Sequence, residues 1–523
     1  TEYSWQAMKQ AYEKLPGNEN ITVRIETNTD ASDYTTKLST ALSGGVNNVS
    51  ADIVVANEVG QYLTTCFADY MPYLTKPNPY ADNKIWRETL ESAAYATYGA
   101  DDELYMLSFD TTQVFIVYSK QAFAEAGISA ADIKTWDDLV DACEKLSNTV
   151  APNANGESYI PMSFGGNKSS MGMPLSWLIG IYADQYFRDF AEVAHSVDGD
   201  YTYDPDVDAD WNADAYKLTE GATVEEKIAA INFDNPSSYT SNPLRAYKAY
   251  FENSEYNPNG DRWQDMMSNL HEIFGNADYL NDDLSQDYGT ALTNMYTTRA
   301  GMCIVASDFF TAYSKQKNVN LEQVLKVMGV MNLPPMTDYG DDGVGVPAAN
   351  YTRTVGGPNG FFGVINKNKE QTDLAMDFLM YVFSAQGQAV RLQSVSENGG
   401  ALNGPLLVKD VEMPEDVQII QKALNEAAGG IDYYGETVYN PYVSLVATGL
   451  KAYNGMFEAH IDDEIKGVYY NYFNPNAGSG KITTAAECGR QVFEIMKNWR
   501  ANFFEQLGYR ADCLDDVTKN PVV

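Results

Sequence analysis

The chain has 523 residues, and 72 acidic side chains against 35 Lys and Arg give it a formal net charge of −37. That balance excludes nucleic acid as a partner, because neutralising phosphates takes clustered Lys and Arg, and it disfavours an anionic membrane surface. With 44% hydrophobic and 12% aromatic residues the chain can bury a core, which excludes disorder. At about 150 residues per domain, the length suits two to four domains.

No stretch approaches the roughly 20 apolar residues of a membrane helix. The opening TEYSWQAMKQ has neither the basic nor the apolar region of a signal peptide, so it reads as a cytosolic start or a trimmed mature one. Cys66, Cys143, Cys303, Cys488 and Cys513 are widely spaced, without CxxC or zinc spacing. They read as buried small hydrophobes with one disulfide at most, and no cofactor is expected.

In chain order, Trp5, Met8, Tyr12 and Leu15 recur at helical spacing, and Ile21, Val23 and Ile25 alternate as in a half-buried strand. Tyr34, Leu38 and Leu42 predict a helix ending at Gly44-Gly45, and ADIVVAN a strand buried on both faces. QVFIVYSK (Gln113 to Lys120) predicts a strand running into the helix AFAEAG. Thr135 and Asp138 form a capping box that makes Trp136 structural. The stretch from Asp189 to Asp282, rich in Asp, Asn, Tyr and Pro, reads as inserted loops and hairpins. KVMGVMNLPP and GFFGVINK are strands; Thr372 is expected to cap a helix burying Leu374, Ala375, Phe378, Leu379 and Val382. The last helix spans about Thr484 to Leu507, burying Val492, Ile495, Met496, Trp499 and Phe503, with Gly508 as its cap. Helices alternating with strands argue an α/β fold. Asp204, Asp206, Asp208, Asp210, Asn212 and Asp214 superficially suggest a calcium loop, but the glycine at the sixth position is missing in every register, so no metal is expected.

The order of ADIVVANEV, ELYMLSFDTTQVFIVYSKQAFAEAGI, KTWDDLVDACEKL, TTRAGMCIVASDFF, VGVMNLPP and GFFGVINKNKEQTDLAMDFLMYVFSAQGQA resembles the extracellular solute-binding proteins of carbohydrate ABC transporters, family 1 type. Tyr118-Ser119-Lys120 is similar to that family's tyrosine-asparagine-lysine, with serine in place of asparagine. Two departures stand out: the family begins with a strand where this chain begins with a helix, and the acidic middle makes this a large member. The resemblance implies a two-lobed periplasmic-binding-protein-like fold with a ligand cleft and a three-segment hinge. Lobe one would be residues 1–110 and 333–398. Lobe two would be 111–332, with an acidic insertion at about 189–282, and 399–523. It further implies an extracellular monomer, held by a lipid anchor on a cysteine upstream of Thr1, that captures an oligosaccharide and delivers it to the permease subunits of an ABC transporter.

A sugar offers apolar ring faces and hydroxyls, so its cleft wants aromatics beside carboxylates and amides on loops at the carboxyl ends of strands. The resemblance points to Asn57 and Glu58 after ADIVVA, to Asp110, Thr111 and Thr112 at the first crossing, and to Trp177 as a stacking aromatic. It also points to Asp308, Phe309 and Phe310 after MCIVAS, to Asn359 and Phe361 around Gly360, and to Tyr433 and Tyr434, with Tyr439 and Tyr442, in a tyrosine-rich loop. Each has an alternative: a helix cap for Asn57, a hinge turn for Asp110, core packing for Trp177 and the tyrosines. No catalytic residue is expected. His195, His271 and His460 lie in no HExxH and near no GxSxG, and no P-loop is present. A hydrolase of the same sugars, needing two carboxylates about 5 to 10 Å apart, remains an alternative, as do a surface glycan-recognition module and a peptide-binding protein. The strongly negative charge favours a neutral ligand over an anionic one.

Overall fold

The computed structural model describes residues 2–522, apart from 92–93, 95–102, 153–155, 167–173, 213–221, 231–238, 281–283, 338–346, 429–439, 443–458 and isolated single or paired positions. Among the described residues the strands are β1 (Ile53–Val55), β2 (Asp110–Ser119), β3 (Ile160–Ser163), β4 (Ala300–Ala306), β5 (Met328–Met331), β6 (Val355–Asn359) and β7 (Phe362–Val364), set among many helices. The chain divides into two units: the first is chiefly Thr1–Thr112 with Gly357–Lys422, the second chiefly Gln113–Gly356 with Glu458–Val523.

In the first unit the Glu2–Glu13 helix buries Met8 and Tyr12 completely. The Tyr12 ring meets Phe378 edge-on at 5.0 Å. Tyr12 and Tyr80 both donate their hydroxyls to Asp377, at 2.6 and 2.7 Å, so the core of this unit is closed by hydrogen bonds as well as apolar contact. β1 pairs antiparallel with β7, Ile53 opposite Val364. Contrary to the expectation of burial on both faces, Val55 is 39% exposed. Residues 21–28 form no strand: their exposure alternates as the pattern predicts, but no ladder partner lies alongside among the described residues, and Val23 N–H donates to the Glu13 carboxylate instead, at 2.7 Å. The Lys369–Val382 helix begins earlier than expected, because Asn368, not Thr372, accepts the Gln371 N–H at 3.0 Å as its cap. That start leaves Thr372 buried inside the helix and turns Leu374 outward, at 47% exposure.

The larger sheet has five strands, in the order β3-β4-β2-β5 with β6 also paired to β2. β2 runs antiparallel to β4 (Val114 opposite Ala306) and to β5 (Ile116 opposite Met331), and β3 runs parallel to β4. β3, β4 and β5 therefore all finish at one edge, the edge at which β2 enters the unit. The sheet is close-packed: a Cβ on Gly329 would fall 2.0 Å from the Tyr118 ring, so only glycine lets that ring lie across β5. Thr135 and Asp138 form the expected capping box, and Trp136 is buried with its Nε1–H donated to the Asn269 carbonyl at 2.9 Å.

The stretch expected to be loops and hairpins carries helices, Pro243–Glu252 and Asp261–Phe274 among them. Trp263, Met266, Met267, Leu270, Ile273 and Phe274 supply the buried stripe of the second, at a spacing the surrounding Asp, Asn and Pro obscure. Asp204 caps a short helix by accepting the Asp206 N–H at 2.9 Å, and Asp208 turns inward to accept from Thr240 N–H at 2.7 Å, so both carboxylates serve local structure. The last helix, Ala485–Gln506, matches its expected span closely, and Gly508 stands at φ +69° beyond it. All five cysteines are buried and free; the disulfide allowed for does not form.

The sequence reading changed lobes near Asn332 and Gly399, whereas the units change after Gly356 and Lys422. β5 is hydrogen-bonded to β2, and the segment after it is held by Gln185, whose amide donates to the carbonyls of Met336 (2.9 Å) and Ala349 (3.0 Å), so 333–356 stays with the second unit. The Leu407 N–H donates to the Phe109 carbonyl at 2.8 Å and the Lys409 N–H to that of Thr89 at 2.9 Å, which keeps 399–422 with the first.

Candidate functional site

The carboxyl edge of the second unit's sheet is where an α/β fold places polar groups without interrupting its ladder. β4 ends at Ala306 and turns through Ser307 directly into the Asp308–Lys317 helix. Asp308 is exposed at the first turn of that helix. Protein crowding around its carboxyl raises it above the ordinary 3.8, partly offset by the backbone N–H groups of Phe309 and of Asp308 itself. Phe309 and Phe310 are fully buried and not on the surface. Phe309 stacks on Tyr296 at 5.5 Å, and Phe310 lies over Phe115 of β2 at 6.0 Å. Phe310 seats the helix on the sheet and Phe309 seats it on the Tyr288–Tyr296 helix, which leaves Asp308 facing outward.

Trp177 belongs to the same unit, on the Pro174–Tyr186 helix, and is half-buried. Its ring meets Tyr288 edge-on at 6.0 Å and 89°. The Tyr288 hydroxyl accepts the Ala306 N–H at 3.2 Å, so one tyrosine links the tryptophan to the end of β4. Burial pushes the Tyr288 hydroxyl well above 10, and it stays neutral. The approach depends on Gly165, after β3: a Cβ there would lie 2.4 Å from Tyr288 Cα. The Trp177 helix is fixed at its far end by Asp184, buried and engaged by Arg188, Arg353 and Asn440. Burial alone would raise this carboxyl, but the two guanidinium charges hold it at about 2.

At the same edge, three polar side chains have buried atoms with no hydrogen-bond partner among the described residues: both amide atoms of Gln113, Ser307 Oγ and Asn332 Oδ1. Gln113 stands one step beyond the Val114–Ala306 pair, opposite Ser307, and Asn332 one step beyond Ile116–Met331, opposite Phe115. By strand alternation all three share the face on which Phe310 covers Phe115. Tyr288, Gln113, Ser307 and Asn332 were not singled out from sequence. A signal for one of them was present, since Gln113 is the polar residue opening the otherwise apolar run VFIVY.

Apart from Tyr442, the remaining candidates lie in the first unit or outside the described residues. Asp110 is buried and accepts from Arg391 Nη1 at 3.1 Å. Burial pushes its carboxyl up against the opposing pull of that guanidinium. Thr111 is buried, and its N–H and hydroxyl both donate to the Pro405 carbonyl at 3.0 Å. Thr112 is half-buried. Phe361 is half-buried against the cluster that includes Val59 and Tyr105, and Asn359 ends β6. Asn57, Glu58, Tyr433, Tyr434 and Tyr439 lie outside the described residues. Tyr442 is core, stacked on Phe187 at 3.8 Å. The edge of the second unit thus brings together Trp177 and Asp308 of the sequence candidates. An aromatic ring, a solvent-facing carboxylate and neutral amide and hydroxyl groups can hold a ring bearing hydroxyls.

Comparison with known proteins bears on the fold. The model of a family described as bacterial extracellular solute-binding protein matches residues 1–389. No curated protein sequence matches the chain. Among solved structures, a chitin oligosaccharide binding protein is 15% identical over 96% of this chain and 95% of its own, with a TM-score of 0.52. The GacH receptor of Streptomyces glaucescens, solved unliganded and with acarbose, is 14% identical over 95% of each chain, also at 0.52. The maltose/maltodextrin-binding domain MalE of Bdellovibrio bacteriovorus, bound to maltotriose, is 15% identical over 96% of each chain, at 0.52. At such identities the likeness is one of fold.

Proposed function

The chain belongs to the bacterial extracellular solute-binding proteins, and from that premise we propose that it captures a neutral oligosaccharide outside the cell and hands it to the permease of an ABC transporter. The observation that carries the ligand class is the pairing of Trp177 with an outward-facing Asp308 at the carboxyl edge of one sheet, joined through Tyr288. A ring face would lie on the indole, and the carboxylate would accept from hydroxyls in charge-assisted hydrogen bonds. The solved structures of similar fold include a chitin oligosaccharide binding protein and a maltose/maltodextrin-binding domain bound to maltotriose, which supports the same class. The net charge of −37 supports a neutral ligand. Asp110, Thr111, Phe309 and Phe310 are here given supporting roles, since each is buried and the first two hydrogen-bond within the first unit.

Binding without catalysis is part of this proposal, and membership of a family of binding proteins supports it. In this reading the protein acts as a lipid-anchored monomer, and ligand favours the closed arrangement of its two lobes by population shift. A thermal-shift panel of neutral oligosaccharides, uronic-acid oligomers and peptides tests the proposal. A ligand at 100 times its Kd adds about 2.7 kcal/mol of stability. Trp177→Ala and Asp308→Asn should each weaken the best sugar by about 1 to 3 kcal/mol without lowering the unliganded melting temperature substantially. Stabilisation by peptides alone would replace the sugar reading, release of shorter sugars from the bound one would favour the hydrolase, and unchanged affinity in both variants would remove the site.

A further inference from the structure

We propose that Gln113 and Ser307, with Asn332 beside them, form a recessed subsite under the start of the Asp308–Lys317 helix that reads adjacent hydroxyls of a neutral sugar. This deepens the receptor reading above and rests on it. Gln113 is 0% exposed and Ser307 1%, yet among the described residues neither side chain has a hydrogen-bond partner. Asn332 contributes a third buried and unpartnered atom, its carbonyl oxygen. Leaving a buried donor or acceptor unmade is destabilising. A chain that needed Gln113 only to fill space would be better served by leucine.

The register explains why these orphans sit together. They lie at the ends of three adjacent strands, Ser307 after β4, Gln113 in β2 and Asn332 after β5, on the face that the Phe115–Phe310 stack marks as lying beneath the helix. Ser307 occupies the cap position of that ten-residue helix, but its side chain accepts no backbone N–H, so the hydroxyl is not spent on capping.

The chemistry of the set selects the ligand. An amide and a hydroxyl each donate and accept, and the Asn332 oxygen accepts. Neighbouring sugar hydroxyls do the same, so both partners of each pair are satisfied at once. The three groups carry no charge and could not offset the desolvation of a carboxylate or phosphate. With Asp308 next to them, an anion would meet a carboxylate rather than a counter-charge.

Gln113→Leu, close in volume and unable to hydrogen-bond, separates this role from a packing role, because the two predict opposite signs. Melting of the unliganded chain and titration calorimetry with maltotriose, chitotriose and raffinose are compared with the wild type, alongside Ser307→Ala. The expected result is an unliganded Gln113→Leu that melts at or above the wild-type temperature, while affinity for the best of the three sugars falls tenfold or more, and by less in Ser307→Ala. Equal affinity with a lower melting temperature would show that the amide is a packing element, and would overturn the subsite while leaving the receptor reading intact. Failure of all three sugars to bind the wild type would overturn both.

Discussion

Replacing Asp184 by asparagine keeps the shape of a buried side chain and removes its charge. The carboxylate is 2% exposed and accepts from Arg353 Nε at 2.8 Å, Arg188 Nε at 3.3 Å and Asn440 Nδ2 at 3.1 Å, with the Nη2 groups of both arginines also on it. Held at about 2 instead of the ordinary 3.8, the ionised form is favoured by about 2 kcal/mol in the folded chain. Removing one member of a buried ion pair costs more, about 3–5 kcal/mol, because the guanidinium left behind is poorly compensated. Asp184→Asn should therefore lose about 2–5 kcal/mol at pH 7, read as a lower urea midpoint by tryptophan fluorescence. The pH dependence gives a second signature. Because the folded carboxyl binds its proton only near pH 2, while the unfolded one binds it near 4, the stabilisation is complete above about pH 4 and is lost as pH falls through 2. The gap between wild type and variant should close over that window. A variant within 1 kcal/mol of wild type at pH 7, or a gap that persists unchanged at pH 2, would refute the electrostatic account of this cluster.

Gly165→Ala should disturb the proposed sugar site from beneath. Its Cβ would lie 2.4 Å from Tyr288 Cα, a backbone atom that yields only by moving the ring that Trp177 leans on. We expect a loss of about 1–3 kcal/mol in stability and a clear drop in sugar affinity, and wild-type values in both would contradict the packing. The thiols make a separate case. Burial pushes those of Cys143, Cys303 and Cys488 up, and all five cysteines are buried, so the native chain should leave Ellman's reagent colourless at pH 8 and yield five equivalents once unfolded in guanidinium. Rapid reaction of a thiol in the folded chain would contradict the burial.

Much of the scaffold of the second unit was legible because its signals are local. The β2 and β4 segments read as apolar runs, and Thr135 and Asp138 stand at the spacing of a reciprocal cap, so neighbours along the chain decide them. Where a decision belonged to distant residues the pattern misled. Residues 21–28 alternate as a strand should, but a strand needs a partner, and the described structure supplies none there. Thr372 is as good a cap by type as Asn368; the helix starts earlier because Asn368 accepts the Gln371 N–H. Asp110 reads as a polar residue at a strand's mouth, and nothing near it in sequence announces Arg391, 281 positions away.

The sequence candidates around Asp308 part company in the fold, and the geometry of a helix start says why. Asp308, Phe309 and Phe310 are consecutive, and sequence alone treats them as one exposed loop. A helix turns about 100° per residue, so beginning it at Asp308 sends that side chain outward, while the next two rings go inward onto Tyr296 and Phe115. The aromatics that the segment advertises are thus spent on seating the helix, and the half-buried aromatic at this edge, which we propose as the stacking ring, is Trp177, more than a hundred residues earlier. Gln113 makes the complementary point. Its polar character in an apolar strand is visible at a glance, but polarity becomes a functional signal only once the fold shows that Ser307 and Asn332 leave its amide unsatisfied. A polar residue in a buried strand is ordinarily explained by its partner; at the carboxyl edge of this sheet, the missing partner is what points to a ligand.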